Sequence, residues 1–196
     1  MLDLAHVLEI FSAENIVRGS GMAAYLLLFS VVAGGMLLSI KLIPDRRRKG
    51  FLSYHRLLSL ASIAMVVIHG AAFFIGKYDY LALTDVLLPF GAKHHTWEIA
   101  AGIIAVYTMV IIAISSVHFL MKALGWKKWR IAHSLAFPCY FLSLWHSAAL
   151  AKHSHIIFLS FLYPATASVV IALALLQVWK ALERRRAASG HITGGR

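Results

Sequence analysis

The stretch Leu52–Ile75, LSYHRLLSLASIAMVVIHGAAFFI, decides the class of this protein. It is apolar along nearly its whole length, and about 20 such residues are enough to cross a bilayer as a helix. Two histidines interrupt it, His55 and His69, fourteen residues apart. Ionisable side chains inside a membrane span are costly and rare, so each of them needs a reason to be there.

Working outward, four more runs of similar character appear. They cover about Gly21–Ile43, closed by Pro44, then Trp97–Met121, Ile131–Ala151 and Ile156–Ala181. With 60% hydrophobic residues in a chain of 196, no ordinary soluble fold fits. The expectation is an all-α integral membrane bundle of five transmembrane helices. The net charge of +11 does not point to nucleic acid. Lys and Arg stand in short clusters at the ends of apolar runs, which is the pattern of membrane topology. Those clusters are Arg46-Arg47-Arg48-Lys49, then Lys122 to Arg130, then Lys180 to Arg186. All three fall on one side of a five-span chain, so that side is cytoplasmic and the N-terminus lies outside. A multi-pass protein of a bacterial plasma or inner membrane is expected.

Residues 1–20 lack the basic start of a signal peptide and carry Asp3, Glu9 and Glu14. Leu4, Val7, Leu8 and Phe11 recur at helical spacing, which suggests an interfacial segment. Residues 21–181 form the transmembrane domain, and 182–196 read as a basic, flexible cytoplasmic tail. The one cysteine, Cys139, excludes a disulfide framework or a thiolate cluster within the chain. No Gly-rich phosphate loop follows a strand, so a flavin or nicotinamide domain is not expected in it.

A second span carries its own pair, His133 and His146, thirteen residues apart. Both histidine-bearing spans run from the cytoplasm outward, so His55 and His133 share an inner level and His69 and His146 an outer one. At about 1.5 Å per residue the two levels lie roughly 20 Å apart. Neutral imidazole is a good axial ligand for haem iron, and two levels offer two haem b sites with these four histidines as iron ligands. Fourteen residues return a helix to within about 40° of its starting face, whereas thirteen leave the side chains about 140° apart. The fourth span must therefore be rewound, and Pro138 lies between its two histidines. The competing reading is a pore or transporter whose histidines relay protons or bind metal.

Several segments also resemble the ferric-reductase-like transmembrane family. They are Ile112 to Ser116, Leu124-Gly125-Trp126-Lys127-Lys128-Trp129-Arg130-Ile131-Ala132-His133, Trp145-His146, Tyr54-His55-Arg56-Leu57 and Ile68-His69. The family includes ferric reductases, the membrane core of NADPH oxidases and the haem subunit serving periplasmic methionine sulfoxide reductase. The resemblance implies electron transfer through two stacked b haems, the inner on His55 and His133, the outer on His69 and His146. Family members often carry Arg directly after the first histidine of the later pair, where this chain has Ser134. Many also have six spans and a fused flavin–nicotinamide domain.

Other positions carry two readings each. Arg56 and Arg130 flank the inner ligands and suit haem propionates bidentately, or serve as topology charges that snorkel. Lys77, Lys152 and His153 have the same two readings at the outer level. His94-His95 and His155 read as solvated loop residues rather than a metal site. His118 reads as an interfacial residue of the third span, and His6 and His191 as incidental. Trp97, Trp126, Trp129 and Trp179 read as an interfacial belt. Phe73, Phe74, Phe137, Phe141 and Trp145 pack on porphyrin, on lipid or on helices. Gly70 and Gly34-Gly35 permit close approach of a haem or of a helix.

The expected function is one-electron transfer across the membrane, with a separate donor, a cytoplasmic flavoprotein or quinol, and a separate redox partner outside. The alternative within redox chemistry is a cytochrome b anchor subunit of a larger quinone-linked dehydrogenase.

Overall fold

A computed structural model of the chain describes residues 12–75, 82–151 and 157–193. These residues are almost entirely helical and contain no strand. Helix α1 spans Ala13–Ser39, α2 Asp45–Ile75, α3 Leu83–Leu87, α4 Thr96–Ser115, α5 His118–Ser134, α6 Ala136–Ala151 and α7 Ile157–Thr193. Four of them (α1, α2, α4 and α7) are each long and apolar enough to cross a membrane. The protein is a multi-pass membrane protein. His6, Lys77, Lys152, His153 and His155 lie outside the described residues, as does most of the proposed interfacial segment.

The helix ends follow local chemistry. Ser12 caps α1, its hydroxyl accepting from the Asn15 N–H at 3.3 Å. The helix therefore starts at Ala13, upstream of the expected boundary at Gly21. At its other end the carbonyl of Ile40 accepts from Lys180 Nζ of α7 at 3.3 Å, a cation at a helix C-terminus. Helix α7 continues well past Ala181 because Leu182, Glu183 and the arginines beyond them are good helix formers.

Two differences from the expected spans bear on the histidines. The third span ends at Ser115 rather than Met121: Ser115 Oγ turns back to the Ile112 carbonyl at 2.9 Å, and Ser116 is the C-cap. His118 consequently starts α5 and is exposed. The fourth span is divided at Leu135 into the end of α5 and the whole of α6. Pro138 sits in the first turn of α6, where its missing N–H is harmless. Four residues before it, the Ser134 carbonyl has lost its donor and would meet the proline ring, and there α5 stops. Inside α5, Gly125 takes φ 72° and ψ 161°, a conformation essentially reserved for glycine.

Packing is closest between α1 and α2 and between α4 and α6; α1 also touches α6 and α7. The core forms where α1, α6 and α7 meet. Tyr25, Leu28, Val32 and Met36 succeed one another at spacings of three and four along α1 and are buried with Cys139, Tyr140, Tyr163 and Val170. At its centre the Tyr25 hydroxyl is hydrogen-bonded to Thr166 Oγ1 and, at 3.3 Å, to the Tyr140 hydroxyl. The Tyr25 and Tyr163 rings meet edge to face at 5.2 Å. Cys139 donates to the Ala105 carbonyl at 3.4 Å, tying α6 to α4. Ser62 donates to the Ala24 carbonyl at 3.3 Å, tying α2 to α1.

Interhelical hydrogen bonds in membranes contribute roughly 0.6–1.7 kcal/mol. Tyr25→Phe removes the two shared by its hydroxyl but leaves Thr166 satisfied by the Leu162 and Tyr163 carbonyls. It should lower stability by about 1 kcal/mol, and Tyr25→Ala, which adds a cavity, by about 3–5 kcal/mol. Unfolding midpoints in detergent check both.

Candidate functional site

The histidines pair across the gap between α2 and the α5–α6 segment. The His55 and His133 rings lie 6.4 Å apart, centre to centre. The His69 and His146 rings lie 6.1 Å apart and perpendicular, at 87°. The helices that carry them do not pack closely on each other, since α2 lies against α1 and α6 against α4. The break at Leu135 is what allows both later histidines to face α2 despite a spacing of thirteen.

Each ring needs somewhere to put its second nitrogen. His69 Nδ1 is 2.8 Å from the Val17 carbonyl of α1, and His146 Nδ1 is 2.8 Å from the Glu98 carbonyl of α4. With the proton held on Nδ1, the Nε2 lone pair is left for a ligand. Glycines make these bonds possible. A Cβ on Gly21 would sit 2.9 Å from His69 Nδ1, and one on Gly102 would sit 2.6 Å from His146 Nδ1. One on Gly35 would meet His55 Cε1 at 3.3 Å. In both hydrogen-bonded cases the accepting carbonyl belongs to the residue four before the glycine, one turn earlier on the same face.

The sequence pattern singled out Gly35 but not Gly21 or Gly102. The signal was there. Gly21 and Gly35 are fourteen residues apart, as are His55 and His69, and antiparallel neighbours at matched depth must repeat each other's spacing. Gly70 plays no such part, since a Cβ there would have nothing within 4 Å.

The remaining expected residues are distributed unevenly. Arg56 and Arg130 are exposed beside the inner pair and form no ion pair among the described residues. Arg130 lines an open groove of about 360 Å³ with Trp126, Lys127, Ile131 and Ser134. Phe73 stands edge-on to His69 at 5.4 Å, while Phe74 and Trp145 are exposed. His94 is exposed in a loop, and His95 precedes α4 with Nδ1 3.9 Å from Glu98 Oε1. Among the described residues no group of three or more His, Cys, Asp or Glu side chains converges as a protein-only metal site would require. Two opposed imidazoles per level instead suit an iron whose other ligands come from a macrocycle. An iron held roughly 2 Å from each nitrogen sets the ring centres about 6 Å apart, the separation both pairs have.

The family model described as ferric reductase like transmembrane component matches residues 20–144. The chain belongs to that family. The match takes in His55, His69 and His133 and stops two residues before His146, which the geometry pairs with His69. No curated protein and no solved structure matches the chain. A ferric-reductase-like transmembrane component implies, at its coarsest, electron transfer across a membrane, and the family is one known for binding haem.

The glycines yield a direct test. Gly102→Ala should push His146 off the Glu98 carbonyl and cost about 1–3 kcal/mol, from strain and a lost hydrogen bond. Gly70→Ala should be neutral or stabilising by up to about 1 kcal/mol, since alanine is the better helix former and the space is open. Thermal melts of the two variants side by side check the difference.

Proposed function

We propose that this protein is a di-haem b-type cytochrome of the membrane. It carries electrons between a cytoplasmic flavoprotein or quinol and a redox partner outside. The observation behind the proposal is the pair of imidazole–imidazole separations, 6.4 Å and 6.1 Å, at two depths of one bundle. His55 and His133 are the inner iron ligands, and His69 and His146 the outer ones. Haem, when bound, supplies a one-electron iron couple; the chain supplies ligation, spacing and an apolar sheath. The outer rings are fixed by backbone carbonyls, so their orientation does not need to be found anew with each turnover. Arg56 and Arg130, exposed and without ion pairs among the described residues, are available to the inner propionates.

In this reading α6 with the end of α5 forms a fifth span, the N-terminus is outside, and the C-terminus is cytoplasmic. The basic residues at the start of α2, in α5 and at the end of α7 then share the inner face. That face suits a negatively charged donor protein.

Purified protein should show a Soret band and a reduced-minus-oxidised spectrum of b type, with two haems per chain. His69→Ala or His146→Ala should each bring the ratio to about one while leaving the inner centre. A preparation that folds but lacks Soret absorption would favour the histidine-lined transporter instead.

The orientation has a separate check. Cys139 is buried and should stay silent to thiol reagents. Lys93→Cys should react with an impermeant reagent from outside intact cells, and Ala187→Cys only after the membrane is opened. The reverse pattern would invert the assignment.

A further inference from the structure

The two histidine levels are built differently. At the outer level both rings are hydrogen-bonded through Nδ1, to the Val17 and Glu98 carbonyls, at 2.8 Å each. At the inner level neither His55 Nδ1 nor His133 Nδ1 has a hydrogen-bond partner among the described residues, and both atoms are buried. The Val31 carbonyl, four residues before Gly35, approaches His55 without reaching hydrogen-bond geometry. His133 has no such neighbour among the described residues. The α4 residue at its depth is Ser115, thirteen residues from Gly102, and in an unbroken helix that spacing turns it about 140° away from the face of Gly102. Ser115 is also the last residue of α4, and no α4 carbonyl among the described residues is hydrogen-bonded to His133 Nδ1.

What holds His133 instead is an aromatic face. Its ring lies on Trp129 at 4.8 Å and 22°, and Trp129 lies on Trp126 at 4.8 Å and 29°. Trp129 Nε1 is itself buried without a partner among the described residues, so this indole is held by packing and not by a hydrogen bond. A tryptophan that the sequence reads as an interfacial anchor is therefore part of the inner site.

An imidazole whose Nδ1–H donates to a carbonyl is the more basic ligand at Nε2, and a more basic ligand favours ferric iron. A ring face offers no such push. From this asymmetry we infer that the two ligand pairs are electronically unequal. His69 and His146 are the stronger donors, and Trp129 positions His133 by stacking in place of a carbonyl. The inference rests on the di-haem reading above and adds an order to it. The outer centre is the harder to reduce, and a single electron in the protein resides at the inner level. Arg56, Lys127 and Arg130 at the inner end act in the same direction, because nearby cations favour the added electron.

A redox titration of the holoprotein, followed optically and by electron paramagnetic resonance, tests this. Two resolved one-electron waves are expected, with at least a tenfold preference for the inner centre, a separation of about 59 mV or more. In His146→Ala the surviving centre should be the higher-potential one. Trp129→Ala should shift that higher midpoint and its low-spin signal while leaving the lower one in place. Trp129→Phe, which keeps a ring face, should restore both. Wild-type protein reconstituted in one orientation provides a measurement independent of any variant. An impermeant paramagnetic ion added on the outer side should broaden the signal of the lower-potential centre. Coincident midpoints, a surviving low-potential centre in His146→Ala, or broadening of the high-potential signal would overturn the inference. So would a Trp129→Ala variant that moves both midpoints alike or neither. Fewer than two haems per chain would instead remove the di-haem reading beneath it.

Discussion

Four imidazoles turned into the bundle impose the constraint on which its packing depends. Each ring has two nitrogens, and water is not at hand to satisfy the one that faces away from the partner ring. At the outer level the chain meets the need with backbone. A helix carbonyl already engaged within its own helix has a second lone pair, and a glycine one turn later removes the side chain that would keep an imidazole from it. Gly21 and Gly102 serve the outer rings in this way, and Gly35 gives His55 the same clearance. The helices that present these glycines, α1 and α4, are therefore as much a part of the site as the helices that carry the histidines.

This explains the order of packing. Helix α2 lies along α1 and α6 along α4 because each histidine helix is oriented by its glycine helix. The two histidine helices can then stand apart from each other, bridged by ring pairs rather than by backbone contact. The core that fixes the two halves lies elsewhere, in the tyrosine cluster of α1, α6 and α7. Helix α1 belongs to both: Tyr25 anchors it in the core, and Gly21, one turn away, receives His69. Cys139 links α6 to α4 at the Ala105 carbonyl, one turn from Gly102, so α4 and α6 are fixed close to where His146 docks.

The proline break supplies the other half of the geometry. A regular helix would turn His133 and His146 to different faces, and extra length could not correct this without changing their depth. Ending α5 at Ser134 and restarting at Ala136 changes the rotation at little cost in rise. The same break leaves His133 near the end of α5, against Trp129, beyond the reach of a carbonyl on α4. Alignment of the rings and inequality of the two levels thus share one cause.

The residue string by itself determined the class of the protein. Apolar runs of bilayer length, basic clusters at their ends and histidines at matched depths can be read from composition and from periodicity within one helix. Even the need for a distortion near Pro138 comes from the helical repeat. What it did not determine was which surface each helix turns to its neighbours. Tyr25 in an apolar run reads the same whether it faces lipid or a buried threonine, and Trp129 reads as a belt residue until the ring beneath it is seen. The acceptors of the outer histidines are backbone carbonyls, which every residue possesses and no residue type announces. The turn at Ser115 moved His118 out of the third span through a hydroxyl competing for a helix carbonyl, a choice settled by local geometry. Rotation and register between helices are properties of contact, and only the tertiary structure decided them.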